Sequence, residues 1–168
     1  MTEIKECVWN GIYFLFCDDE LQYIGKSKNV YSRFIAHKGN FDFDRVLIFP
    51  CPDTGENFDD KNLREIEEHL IFLYSPPENT QHCKGKFHKI PFSEKLQTII
   101  DWYAEDDLDD EYKNYGITRS VPVKPKTNSL KDIVEWVIQA EIDSQMMFNV
   151  FCKLRDAEDE RKKAEPGG

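Results

Sequence analysis

Two short runs dense in strand-forming residues, Asn10–Cys17 (NGIYFLFC) and Leu21–Gly25 (LQYIG), are separated only by Asp18-Asp19-Glu20. Branched and aromatic side chains at that density suit a pleated, half-buried surface, and a polar break so short admits only a tight turn. The pair therefore reads as an antiparallel hairpin with a buried first strand. A hairpin alone is marginal in water, so the rest of the chain has to cover it.

After the hairpin the apolar period changes. Between Lys28 and Lys38, Val30, Tyr31, Phe34 and Ile35 recur at helical spacing, with Asn29 placed to cap the helix and Gly39 to end it. Arg45–Pro50 (RVLIFP) reads as a third strand, closed by Pro50 and Pro52. A polar loop, Asp53–Asp60, leads to a second helix carrying Leu63, Ile66, Leu70, Ile71, Leu73 and Tyr74, which must stop at Ser75-Pro76-Pro77. The order β-β-α-β-α predicts an α+β unit over residues 1–92, a small central antiparallel sheet of about three strands flanked by helices. Residues 93–168 read as a mainly helical extension. It comprises a helix over Ser93–Ala104, an acidic loop at Glu105–Glu111 (EDDLDDE) and an extended, proline-containing linker at 116–128. A long helix over 129–155 opens on Ser129-Leu130-Lys131-Asp132, which resembles a capping box, and the charged tail from Asp156 is expected to fray.

Composition narrows the function. The chain carries 22 Lys+Arg against 32 Asp+Glu, a net charge of −10. On electrostatics alone such a protein is not drawn to a polyanion. Residues 1–89 account for −4 of that charge and residues 90–168 for −6, so the acidity is weighted to the second half. No apolar run approaches the roughly 20 residues of a membrane span, and no signal-peptide pattern opens the chain. The five cysteines (Cys7, Cys17, Cys51, Cys83, Cys152) are scattered and odd in number. They point to reduced thiols in a cytoplasmic or nucleoid-associated protein that is not secreted. A zinc site from His69, His82, Cys83 and His88 is conceivable, but the spacing matches no common ligand pattern.

Gly11-Ile12-Tyr13 and Tyr23-Ile24-Gly25 place two tyrosines on neighbouring strands, ten residues apart. Arg33 and His37, four apart, share one face of the first helix. Lys26 and Lys28 flank the turn into that helix, and Glu67 on the second helix precedes Asn79 by twelve residues. In this order and spacing the set resembles the GIY-YIG nuclease superfamily. The match spans GIY at 11–13, YIG at 23–25, the segment YIGKSKNVYSRFIAHK, and EEHLIFLYSPPEN at 67–79, about half of the chain.

The resemblance implies a DNA endonuclease that hydrolyses phosphodiester bonds with one Mg²⁺ or Mn²⁺ per active site. Carried over by position, Tyr13 would stand by the attacking water, Tyr23 would partner it at the scissile phosphate, and Arg33 would stabilise the phosphate charge. Glu67 would bind the metal and Asn79 would hold the site together. His37 matches a histidine of the restriction-enzyme branch that assists the phenol or the phosphate. Lys28, Lys38, Lys84 and Lys86 are candidate DNA contacts.

The chemistry of these groups fits that role. Arg33 offers a rigid fork matched to phosphate, and a lone carboxylate leaving its metal largely to water and substrate oxygens suits Mg²⁺. A phenol titrating near 10 is a poor base at neutral pH. Tyr13 therefore needs help from Lys26, His37 or the metal field, or else it only orients the water. Two further functions stay open: a structure-selective repair or recombination nuclease brought to DNA by a partner, and a non-catalytic binding module. The long C-terminal helix could pack on the first unit, dimerise or hold a partner protein. To reconcile the net charge with DNA, Lys26, Lys28, Arg33, Lys38, Lys84, Lys86 and Lys89 are expected to gather around Tyr13 and Glu67, with the acidic second half facing away.

Overall fold

A computed structural model describes residues 10–40, 42–51, 60–79, 91–105, 109–118, 122–126 and 129–164. Strands β1 (Gly11–Cys17), β2 (Glu20–Ser27) and β3 (Arg45–Pro50) form an antiparallel sheet in the order β2-β1-β3. Helix α1 (Val30–His37) links β2 to β3, and α2 (Asp60–Tyr74), α3 (Phe92–Ala104), α4 (Asp109–Asn114) and α5 (Leu130–Ala164) follow. The α+β expectation holds, with a three-stranded sheet at its centre.

The hairpin turn is tighter than its three polar residues suggest. Cys17 pairs with Glu20, leaving Asp18 (φ 50°) and Asp19 (φ 64°) as a two-residue turn in the left-handed region. Successive left-handed residues twist with the strands they join, and aspartate accepts that conformation better than most side chains. The second strand extends beyond Leu21–Gly25 at both ends, because the ladder with β1 continues as far as Gly11 opposite Ser27.

Alternation along β1 sorts its side chains to two faces. Ile12, Phe14 and Phe16, with Ile24 of β2, enter the main core with Leu63, Ile66 and Leu70 of α2, Leu96 and Ile99 of α3, and Ile133, Val134 and Val137 of α5. Tyr13 and Leu15 point to the opposite face, against Val30 of α1 and the partly buried Tyr23, Phe34, Phe43, Val46 and Ile48. The main core thus runs without a break across the expected domain boundary at 92–93. Each fully buried Leu, Ile or Phe in it contributes about 1.5–3 kcal/mol relative to exposure.

Helix ends follow local chemistry. The Asn29 side chain accepts the Ser32 amide at α1, as expected of a cap. Helix α1 ends at His37, with Lys38 rather than Gly39 as its C-cap. Helix α2 stops at Tyr74, where Ser75 turns left-handed (φ 48°) ahead of the two prolines.

Two expectations in the second half are overturned. The acidic stretch is not all loop, since Asp109–Asn114 forms α4, whose Tyr112 packs edge-on against Phe151 of α5 at 5.0 Å. Burial of that one ring gives the segment a reason to order despite its charge. The tail does not fray at Asp156 either. Helix α5 continues to Ala164, sustained by the Lys162–Glu158 pair at 2.7 Å and by basic residues in its last turn, where they favour the helix dipole. The described residues of the 116–128 linker form neither helix nor strand, and Pro122 there accepts the Trp136 indole N–H at 3.0 Å.

Among the described residues no helix is long and apolar enough to cross a membrane, and Cys17, Cys51 and Cys152 are unbridged. Cys7 and Cys83 lie outside the described residues.

Candidate functional site

On the α1 face of the sheet three side chains meet over one glycine. Tyr13 of β1 stands opposite Gly25 of β2, so its phenol crosses the neighbouring strand where there is no side chain. A methyl group on Gly25 would collide with the Tyr13 hydroxyl and stand 2.7 Å from the Tyr23 ring. The glycine of the second motif is therefore demanded by the tyrosine of the first. Tyr13 and Tyr23 have ring centroids 6.1 Å apart and are hydrogen-bonded to each other. His37, in the last turn of α1, lies 4.7 Å from the Tyr23 ring centre, and its Nε2 is 2.9 Å from the Tyr13 hydroxyl.

Titration in this cluster is set by burial. Tyr13 is only 1 % exposed, and burial pushes its phenol well above the ordinary value, with the Tyr23 and Glu67 charges adding to the effect and Arg33 opposing it. Burial also raises Tyr23 and lowers His37, the latter reinforced by the Arg33 charge. The help needed to ionise Tyr13 in place is therefore absent. What the geometry offers instead is a neutral imidazole in contact with the hydroxyl. With His37 protonated on Nδ1, its Nε2 accepts the Tyr13 O–H.

The outer edge of β2 is built by residues from α2 and just beyond. The Asn79 side chain acts as a short strand, its Oδ1 accepting the Ile24 amide at 2.8 Å and its Nδ2 donating to the Ile24 carbonyl at 2.7 Å. The Glu78 amide donates to the Gln22 carbonyl at 3.0 Å. Two residues along, the Lys26 amide donates to Glu67 Oε1 at 3.1 Å. An edge that would otherwise present bare N–H and C=O groups is closed. Glu67 is thereby fixed at the same edge that carries Gly25, close enough for its charge to bear on both phenols.

The structure thus brings together Tyr13, Tyr23, His37, Glu67 and Asn79, with exposed Arg33 acting on the cluster by its charge. Lys26 behaves differently from expectation. It alternates with Gly25, so its side chain lies on the α2 face, where Nζ binds Asp60 Oδ1 at 2.6 Å and holds that carboxyl below its usual range. Only its backbone serves the Glu67 end of the site. Lys28 is exposed and close enough for its charge to bear on Asp60, and Lys38 is exposed at the end of α1. Lys84, Lys86 and Lys89 lie outside the described residues, as do His82, Cys83 and His88. His69, the remaining member of the conceivable zinc set, bonds Tyr103 in the interior.

Asp60 was not anticipated. It stands seven residues before Glu67, two turns along α2, and that spacing was the available signal. The acidic second half faces away as expected, since α3 and α5 pack behind the sheet on its α2 face. Comparison of the chain with protein-family models, with curated proteins and with solved structures finds no match.

Proposed function

We propose that this protein is a metal-dependent DNA endonuclease working through the Tyr13–Tyr23–Arg33–His37–Glu67 cluster. The observation that carries this is the 2.9 Å contact between the Tyr13 hydroxyl and a largely neutral His37. A buried phenol held above its ordinary titration range is no base by itself, but it relays a proton when an acceptor already touches it. Tyr13 takes the proton of an attacking water as it passes its own to His37 Nε2. Arg33, exposed beside both rings, neutralises charge on the phosphate oxygens.

Glu67 fits a hard divalent cation, being a single oxygen donor oriented by the Lys26 amide. A Mg²⁺ or Mn²⁺ held there supplies charge neutralisation at the scissile phosphate and the leaving oxygen. Access to Tyr13 requires a shift of the side chains above it, and α1 buries only Val30, so it is held lightly enough to move.

Plasmid nicking tests this. Purified protein with Mg²⁺ or Mn²⁺ is expected to convert supercoiled DNA to the nicked form, and Glu67→Ala is expected to abolish the conversion. A wild type inert with every divalent metal and DNA form removes the proposal and favours a binding module. One observation favours the partner-dependent variant. Met146, Phe148, Val150 and Leu154 are exposed on the distal half of α5, an apolar surface suited to a second copy or a recruiting protein. Cutting by the isolated chain at full rate would exclude the need for a recruiter.

A further inference from the structure

A second polar cluster lies on the other side of the sheet, between α2, α3 and α5, and the phosphodiester chemistry makes no use of it. Glu141 of α5 is 4 % exposed. Its Oε1 accepts from Asn62 Nδ2 at 3.1 Å and its Oε2 from the Tyr103 hydroxyl at 3.0 Å. Tyr103 in turn lies 2.9 Å from His69 Nδ1, so with its proton directed to Glu141 the phenol oxygen accepts from the imidazole. Asn62 also donates to Gln145 Oε1 at 2.9 Å. The groups facing Glu141 are therefore Asn62, Glu65 and His69 of α2, Tyr103 of α3 and Gln145 of α5, with Lys61 paired to Glu65 at 3.7 Å.

One contact sets the chemistry. Glu141 is hydrogen-bonded to Glu65, and two carboxyl groups form such a bond only with a proton between them. No cation bonds Glu141 directly among the described residues, and a bare carboxylate at that depth carries a large desolvation cost.

We propose that α5 is docked on α2 and α3 through a proton-dependent latch, in which Glu141 keeps its carboxyl proton in the docked state and shares it with Glu65. Burial, the largest cause, raises Glu141 to about 7 from an ordinary 4.5. A folded-state value above the unfolded one makes the contribution full at low pH and lost as pH rises through about 7. His69 has the opposite sign: burial lowers it to about 4 from 6.5, so its contribution is full above 6.5 and lost as pH falls. The two oppose each other below neutrality, and a variant of Glu141 separates them.

The test is urea unfolding of the full chain between pH 6 and pH 8, wild type beside Glu141→Gln. Relative to the variant, the wild-type folding constant is expected to fall about tenfold across that interval, as a native value near 7 against 4.5 unfolded requires. His69 is common to both proteins and cancels in the ratio. Amide exchange along Ile133–Glu141, corrected for its intrinsic pH dependence, is expected to speed up in the wild type over the same interval. A ratio that stays constant, or loosening confined to other elements, overturns the latch. If Glu141→Gln does not fold, Glu65→Gln replaces it. Removing the second carboxylate is then expected to move the pH-dependent loss to lower pH, and a loss that stays in place overturns the proposal.

Discussion

The protein holds two clusters in which tyrosine, histidine and glutamate meet, and they differ in what surrounds them. Around Tyr13, the partners come from two strands, a short exposed helix and the edge beyond α2, with Arg33 and Lys28 exposed nearby. Around Glu141 they come from α2, α3 and α5, and Asn62, Tyr103 and Glu141 are each no more than 5 % exposed. The same residue types therefore serve opposite ends. A cluster bordered by exposed cations beneath a lightly held helix is arranged to meet an anion. A sealed cluster satisfied by its own members is arranged to hold helices together.

Breaking the first cluster has the largest expected effect. If it relays a proton, Tyr13→Phe lowers the nicking rate by about 10²–10⁴-fold, the usual contribution of a positioned acid–base group. His37→Ala gives a loss of the same kind, with the fold unchanged by circular dichroism. Tyr103→Phe in the second cluster, which removes a bond without touching the α1 face, is expected to leave the rate within about a factor of two while lowering the urea midpoint. An equal loss of rate in the two phenylalanine variants would erase the distinction.

Asn79→Ala comes next, and its readout is stability. It uncovers both the amide and the carbonyl of Ile24 at a buried edge, at a cost of about 1–3 kcal/mol for each group left unpaired. Chemical denaturation measures it. Gly25→Ala forces Tyr13 and Tyr23 aside, an overpacking that costs about 1–3 kcal/mol, and the displaced phenol also loses its contact with His37.

The pH dependence of nicking separates the clusters by sign. His37 must be neutral to accept a proton and is held below 6.5, so the rate is expected to fall on the acid side, with a midpoint under 6.5 that disappears in His37→Ala. The Glu141 latch acts in the other direction, weakening stability as pH rises. The smallest effect belongs to Lys26→Met. Its ion pair with a carboxylate 56 % exposed contributes no more than about 1 kcal/mol, and the backbone amide that orients Glu67 survives the substitution. A loss of nicking as large as that of Tyr13→Phe would return the Lys26 side chain to the chemistry.

How much of this was legible depends on the range of the interaction. The hairpin, the Asn29 cap, the stop at Ser75-Pro76-Pro77 and the two-faced first strand follow from side chains within a few residues of one another. So does the pairing of Tyr13 with Tyr23, once the strands are set antiparallel. The ordering of 109–114 and the continuation of α5 past Asp156 were not legible. Each depends on a distant partner, Phe151 for Tyr112 in the first case and a helix already anchored on α2 in the second.

The sequence by itself determined the order of elements, their approximate ends and the residue types able to do chemistry on the α1 face. Periodicity, capping and turn propensity act along the chain and can be read there. Only the tertiary structure decided that Lys26 turns to Asp60, that Tyr13 hands its hydroxyl to His37, and that His69 and Glu141 are joined through Tyr103. Those choices turn on which face a strand presents and how deeply a group is buried, and burial sets the cost of charge. Asn62 and Glu141, for example, lie 79 residues apart in the chain and meet only because α5 packs on α2.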